Sequence, residues 1–186
     1  MRSIELTFDL TTEAAFRAEW TALQEAGLPN LGRHQGQSNR PHLTLAAGPA
    51  LEPTDALRAL FDAVQSVGAP TGRPRPQHPA ALLPVDLRVS GLVLFRAGSG
   101  RFVLARPVVM TRALLELHRT VLELAPGAVE LTRPDRWTPH VTLARRISAE
   151  QVSAALAVLG EPPAVGSCVA ARFWNGETKT LTALAG

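Results

Sequence analysis

The chain has one cysteine, no tyrosine and a single lysine among its 19 basic residues. One cysteine excludes disulfides and cysteine-rich zinc sites. Cys168 lies in the apolar stretch from Ser167 to Ala171, where a packed core thiol is expected rather than a nucleophile. Long apolar runs are also missing: Asp86, Arg88, Arg96 and Arg101 interrupt the richest region, so no bilayer-spanning helix is expected. The opening residues Met1 to Leu6 alternate polar and apolar, and Glu5 and Asp9 follow within a few positions, unlike the apolar core of a secretion signal. These features predict a soluble, cytoplasmic protein.

What is present is globular. A hydrophobic content of 46% excludes general disorder. The 186 residues suit one domain, 1–186, able to bury roughly two thirds of its unfolded surface. Net charge is only +3, but the basic residues are almost all arginine, whose planar fork suits phosphate. A bias toward arginine codons explains the same composition, and charge alone does not establish a nucleic-acid partner.

Hydrophobic periodicity predicts mixed α and β elements. Ile4, Leu6, Phe8 and Leu10 alternate with Ser3, Glu5, Thr7 and Asp9 as a half-buried strand. A helix follows from about Thr12 with Phe16, Trp20 and Leu23 on one face, stopped by Gly27 and Pro29. Thr54 caps a second helix carrying Leu57, Leu60, Phe61 and Val64, ended by Gly68. Five prolines between residues 69 and 84 mark a connection. Strands are then expected over 85–89 and 91–95, with a hairpin at Gly98-Ser99-Gly100 leading into 102–109. A helix over 111–124 follows, then a capping box at Ser148 to Gln151, and last two strands near 166–174 and 178–184 around Asn175-Gly176.

One phrase occurs twice, as Pro41-His42-Leu43-Thr44-Leu45-Ala46 and as Pro139-His140-Val141-Thr142-Leu143-Ala144. Each reads as a strand with His and Thr on one face and apolar residues on the other. The order helix, His strand, helix also recurs with the same offset of about one hundred residues, so the repeat is structural. Two halves related by a pseudo-twofold would aim both imidazoles into one cleft. One imidazole could take a proton while the other gives one, because both forms coexist near neutral pH. Each Thr could hold non-bridging phosphate oxygens in the transition state. The chemistry that fits is metal-independent phosphodiester cleavage. No Ser or Cys nucleophile signature accompanies either His, and neither phrase has further ligands at zinc spacing.

These residues resemble the 2H phosphoesterases, particularly the branch of 2'-5' RNA ligase-like proteins and RNA 2',3'-cyclic phosphodiesterases. The family pair is His-x-Thr/Ser-x, and Pro139 to Arg145 looks like that branch's Pro-His-Val-Thr-Leu-Ala-Arg signature. The resemblance implies a bilobal, duplicated α+β fold with two antiparallel-rich sheets flanking a central cleft and helices outside. It implies His42, Thr44, His140 and Thr142 as catalytic residues, with no metal or other cofactor. The implied reaction opens nucleoside or RNA-terminal 2',3'-cyclic phosphates to 2'-phosphates, with 2'-5' RNA ligation as a related activity. RNA ends or cyclic nucleotides are the implied substrates, with no membrane partner and a monomeric state.

Arg145 matches the family arginine after the second motif and is expected to contact phosphate, a solvated strand-end charge being the alternative. The first copy runs on as Ala46-Ala47-Gly48 without a matching arginine. Trp137 either stacks a base at the cleft mouth or packs beneath the strand. Trp174 lies near where relatives place an aromatic, but a core residue is expected there. His118 is expected to be partly buried or on the surface of its helix. His34 and His78 are assigned to solvated loops, with His78, Arg73 and Arg75 as an alternative phosphate-attracting lid. Competing functions are a phosphodiesterase for 2'-5' oligonucleotides or a cyclic phosphate of ADP-ribose, and a non-catalytic RNA-binding module. Retention of both histidines and both threonines argues against the last.

Overall fold

The computed structural model describes residues 1–33, 36, 38–65, 82–162 and 165–185, the side chains of 62–65 excepted. The chain runs β1 (Arg2–Phe8), α1 (Leu10–Glu25), β2 (Leu43–Gly48), α2 (Asp55–Gln65), β3 (Val85–Arg88), β4 (Val93–Arg96) and β5 (Arg101–Pro107). It continues α3 (Arg112–Leu124), a 3-10 turn (Glu130–Thr132), β6 (His140–Ser148), α4 (Ala149–Val158), β7 (Val165–Asn175) and β8 (Thr180–Ala185). The expected elements are therefore present, apart from the Pro-rich connection, most of which lies outside the described residues.

All strands join one antiparallel sheet in the order β3-β7-β1-β2-β6-β5-β4, with β8 on β7. Outward from the β2–β6 junction the order repeats: β1 matches β5, and β7 matches β4. Each half therefore lends a strand to the other, since β7 from the second half pairs with β1 and β4 from the first pairs with β5. The two sheets expected from sequence meet in a single backbone pairing, Leu43 with Val141.

Alternation decides which side of the sheet is dry. Ile4, Leu6, Phe8, Leu43, Leu45, Val141 and Leu143 are buried in one core with Phe16, Trp20 and Leu23 of α1, Leu57 and Phe61 of α2, and Leu114, Leu117 and Val121 of α3. Arg106 of β5 is buried among these elements. It donates to Glu19 of α1 and to the carbonyls of Gly91 and Gly160, tying together parts of the chain remote in sequence. Burial pushes the Glu19 carboxyl up, against the pull of Arg106. Burial likewise pushes the Cys168 thiol up to about 12, as expected for an inert core cysteine.

Helix α1 begins two residues before its expected start because Asp9 caps it. Asp9 Oδ1 accepts from the Thr12 backbone N–H at 2.8 Å, and Oδ2 accepts from the Ser167 N–H at 2.7 Å, so one carboxylate fixes both the helix and strand β7. The Thr12 N–H and its companions hold the Asp9 carboxyl below the usual range. A folded-state pKa below the unfolded one stabilises at neutral pH, and that contribution is lost as pH falls through the carboxylate range. Asp9→Ala is therefore expected to lower unfolding free energy by about 1–2 kcal/mol near pH 7, with the gap narrowing toward about pH 3. Urea melts of both proteins at the two pH values measure this, and a gap undiminished in acid contradicts it.

Candidate active site

The antiparallel register that pairs Leu43 with Val141 sets His42 across from Thr142, and Thr44 across from His140. The four polar residues of the two phrases thus meet at the seam of the sheet. Each imidazole is held in the same way. His42 Nδ1 lies 2.8 Å from the Arg40 carbonyl and His140 Nδ1 lies 2.7 Å from the Thr138 carbonyl. A carbonyl only accepts, so Nδ1 carries hydrogen in both rings. Nε2 is consequently the nitrogen left for proton exchange.

Matching irregularities shape both motif strands. Glu5 pairs with Thr44 while Ile4 pairs with Ala46, which leaves Leu45 as an extra residue. Ala105 pairs with Thr142 while Leu104 pairs with Ala144, which leaves Leu143 as its counterpart. Each bulge reverses the inside–outside alternation beyond it. Arg145, an odd number of positions from His140, thereby comes to the cleft face, where it lines the same cleft as His42. The equivalent position in the first strand is Ala47.

Two indoles brace these bulges, each from the opposite half. Trp20 Nε1 donates to the Thr142 carbonyl at 3.2 Å, and Trp137 Nε1 donates to the Thr44 carbonyl at 3.0 Å. Trp137 is 6% exposed and stacks on the fully buried His118, with ring centroids 3.8 Å apart. Of the two readings of Trp137, packing beneath the strand is the one its burial fits, since the ring is covered. His118, expected partly buried or exposed, is completely enclosed and donates toward the Thr132 carbonyl at 2.9 Å. Trp174 reverses in the other direction, since it is half-buried and lines the cleft instead of the core. His34, Arg73, Arg75 and His78 lie outside the described residues.

Around this symmetric centre the charged groups are unequal. Glu5 of β1 is buried, with its Oε1 3.7 Å from His42 Nε2 and its Oε2 2.8 Å from the Arg172 guanidinium. The residues that match Glu5 and Arg172 by register in the other half are Ala105 and Val93. On that side Phe95 packs against His140, with centroids 4.7 Å apart and planes tilted by 47°. A cleft of about 460 Å³ opens beside His42, between Glu5, Asn30, Asn39, Arg145, Arg172 and Trp174. Burial holds His140 below the ordinary imidazole pKa, and the charges of His42 and Arg145 add to the effect. Among the described residues no cluster of His, Cys, Asp or Glu is placed to hold a metal ion.

Sequence reasoning missed Glu5, Arg172 and Phe95 as parts of the site and took Trp20 only as core. Glu5 was signalled by its place on the polar face of β1. The other three depend on which strands become neighbours.

The two histidines and two threonines of the repeated phrase thus meet near Arg145 and Arg172 on a duplicated α+β sheet. Residues 12–180 match the 2'-5' RNA ligase superfamily, and the chain belongs to that family. Among solved structures, Usb1 of Kluyveromyces marxianus is similar over 100% of this chain and 97% of that one, at 12% identity and a TM-score of 0.51. A structure described as a phosphoesterase is similar over 98% and 92%, at 18% identity and a TM-score of 0.48. No curated protein matches. No helix among the described residues is long and apolar enough to cross a membrane.

Nuclear magnetic resonance tests the state of the imidazoles. In the neutral form His42 and His140 are expected as Nδ1–H tautomers, and His140 is expected to titrate below about 6.5, the value of an unperturbed histidine. Nitrogen shifts that report the Nε2–H tautomer, or a His140 midpoint above that value, contradict the geometry.

Proposed function

We propose that this protein is a metal-independent phosphodiesterase that opens nucleoside or RNA-terminal 2',3'-cyclic phosphates, acting as a single two-lobed unit. The observation that carries the reading is the pair of imidazoles across one seam, each with Nδ1 tied to a carbonyl and Nε2 left for proton exchange. Family membership and the phosphate-suited guanidinium of Arg145 in the cleft support it.

The unequal surroundings support one direction for the reaction. His140, kept neutral by burial, takes a proton from water. His42 faces the Glu5 carboxylate, an ion pair whenever that ring carries its second proton, and it gives a proton to the departing 3'-oxygen. The water oxygen bonds to phosphorus as the phosphorus–O3' bond breaks, which leaves a 2'-phosphate. The Thr44 and Thr142 hydroxyls and Arg145 hold the non-bridging oxygens, whose charge must be stabilised in the transition state.

His42→Ala and His140→Ala are each expected to lower turnover of a 2',3'-cyclic nucleotide by roughly 10²- to 10⁴-fold, with the double variant far less impaired than the product of the two. Activity should survive exhaustive chelation. Phosphorus NMR should identify a 2'-phosphate product, and a bell-shaped pH profile should report the coupled pair. Near-normal turnover in either single variant removes the assignment. Loss with chelator and rescue by a divalent ion overturns the metal-free mechanism.

A further inference from the structure

Both imidazoles are anchored through Nδ1, but the two anchoring carbonyls are not held in the same way. Around His140 the sheet suffices. β6 begins at His140 itself, which pairs with Pro107, and the Pro139 carbonyl accepts from the Val108 N–H at 2.9 Å. The Thr138 carbonyl that meets His140 Nδ1 therefore lies one residue from a fixed ladder. Around His42 the ladder starts too late. β2 begins at Leu43, and its pairing with β1 extends only to Leu6 with Leu43. Arg40, whose carbonyl meets His42 Nδ1, precedes that pairing by three residues.

Side chains of α1 take over that task. Glu13, four positions after the Asp9 cap, is 8% exposed, and its two oxygens are divided between two guanidiniums. Oε2 accepts from Arg40 Nε at 2.8 Å, and Oε1 accepts from Arg17 Nε at 2.8 Å. Arg17 in turn donates to the carbonyl of Asn39, the neighbour of Arg40, at 3.2 Å. One buried carboxylate thus ties the residue that carries the anchor to a helix of the core through charge-assisted bonds. Burial pushes the Glu13 carboxyl up, but the two guanidiniums outweigh it and hold it below its usual range, so it is charged at neutral pH. At the matching place in the other half, four positions after the Thr111 cap of α3, stands Leu115, which offers no acceptor. Glu13 is not part of the cleft wall.

We propose that Glu13 is a positioning residue for His42: by clamping Arg40 it fixes the carbonyl that holds Nδ1, a task the sheet itself performs for His140. The bond at Nδ1 decides which ring nitrogen carries the proton and how the ring is aimed. On the reading of His42 as the general acid, the clamp therefore governs how well Nε2 is presented to the departing oxygen. It governs nothing in the binding of substrate, because Glu13 acts only through Arg40.

Nitrogen NMR of the whole protein tests the clamp independently of turnover. In Glu13→Gln, and in Arg40→Ala, which keeps the anchoring carbonyl but removes its tether, neutral His42 should lose its preference for the Nδ1–H tautomer while His140 keeps it. Arg40→Ala leaves Glu13 paired with Arg17, so it carries the test if Glu13→Gln folds poorly. On a 2',3'-cyclic nucleotide both variants should lose about 10- to 100-fold in kcat, the scale of a displacement of about 1 Å at a reacting group, with KM little changed. Arg40→Lys, which returns a cation to Glu13, should recover most of that loss. An unchanged His42 tautomer and kcat in both variants, with only a lower melting temperature, reduces Glu13 to a structural ion pair and overturns the proposal. A rise in KM in Arg40→Ala that Glu13→Gln does not share makes Arg40 a phosphate ligand in its own right and overturns it too. Loss of the tautomer at His42 alone, in a protein that opens no cyclic phosphate, would instead remove the reaction proposed above and leave the clamp standing.

Discussion

The site depends on one short stretch of backbone pairing, where Leu43 meets Val141. Everything polar in the centre is referenced to that contact: it sets the two His-Thr pairs antiparallel and facing each other across a strand spacing of about 4.8 Å. Side chains in a strand alternate, so a slip of one residue would turn one strand over, sending its histidine into the core and its leucines into the cleft. The register is protected by burial on one face, where Leu43, Leu45, Val141 and Leu143 are enclosed. It is protected on the backbone by the two indole N–H groups that reach the Thr44 and Thr142 carbonyls. Each such bond contributes on the order of 1 kcal/mol, but leaving its carbonyl buried and unmet would cost more.

The bulges turn a symmetric sequence into an asymmetric site. By shifting the alternation beyond Leu143, the second strand presents Arg145 to the cleft, whereas the first strand presents Ala47 at the matching position. Neighbouring strands widen the difference, with Glu5 and Arg172 on one side and Ala105 and Val93 on the other. In the proposed reaction two identical imidazoles would not by themselves choose a direction for proton transfer. Their unequal surroundings can, because desolvation disfavours the charged form of one ring while a carboxylate faces the other.

Much of this was legible in the chain. The repeated six-residue phrase identified His42, Thr44, His140 and Thr142, and alternation or helical spacing located most elements to within a few residues. The duplicated order of helix and strand predicted the internal symmetry of the sheet. What could not be read were consequences of neighbours far apart in sequence. Period-two alternation places Arg145 opposite His140, and only an inserted bulge residue brings it round. Trp137, three positions from His140, was as open to stacking a base as to packing beneath its strand, yet His118 comes from α3 to cover it. Trp174 reaches the cleft because β7 lies beside β1, a pairing between the two ends of the chain. Asp9 looked like an ordinary strand-end polar residue until its second oxygen met Ser167.

The exchanged strands bear on how the chain can be divided. Because β7 belongs to the second half but is zipped along β1, and β4 belongs to the first but is zipped along β5, no line through the molecule separates the halves without breaking a ladder of backbone bonds. Each spatial lobe, β3-β7-β1-β2 on one side of the seam and β6-β5-β4 on the other, is therefore built from both halves of the chain. Neither lobe can be made from one contiguous stretch of chain, so a truncation between the halves would strip a strand from each lobe at once, β7 from beside β1 and β4 from beside β5.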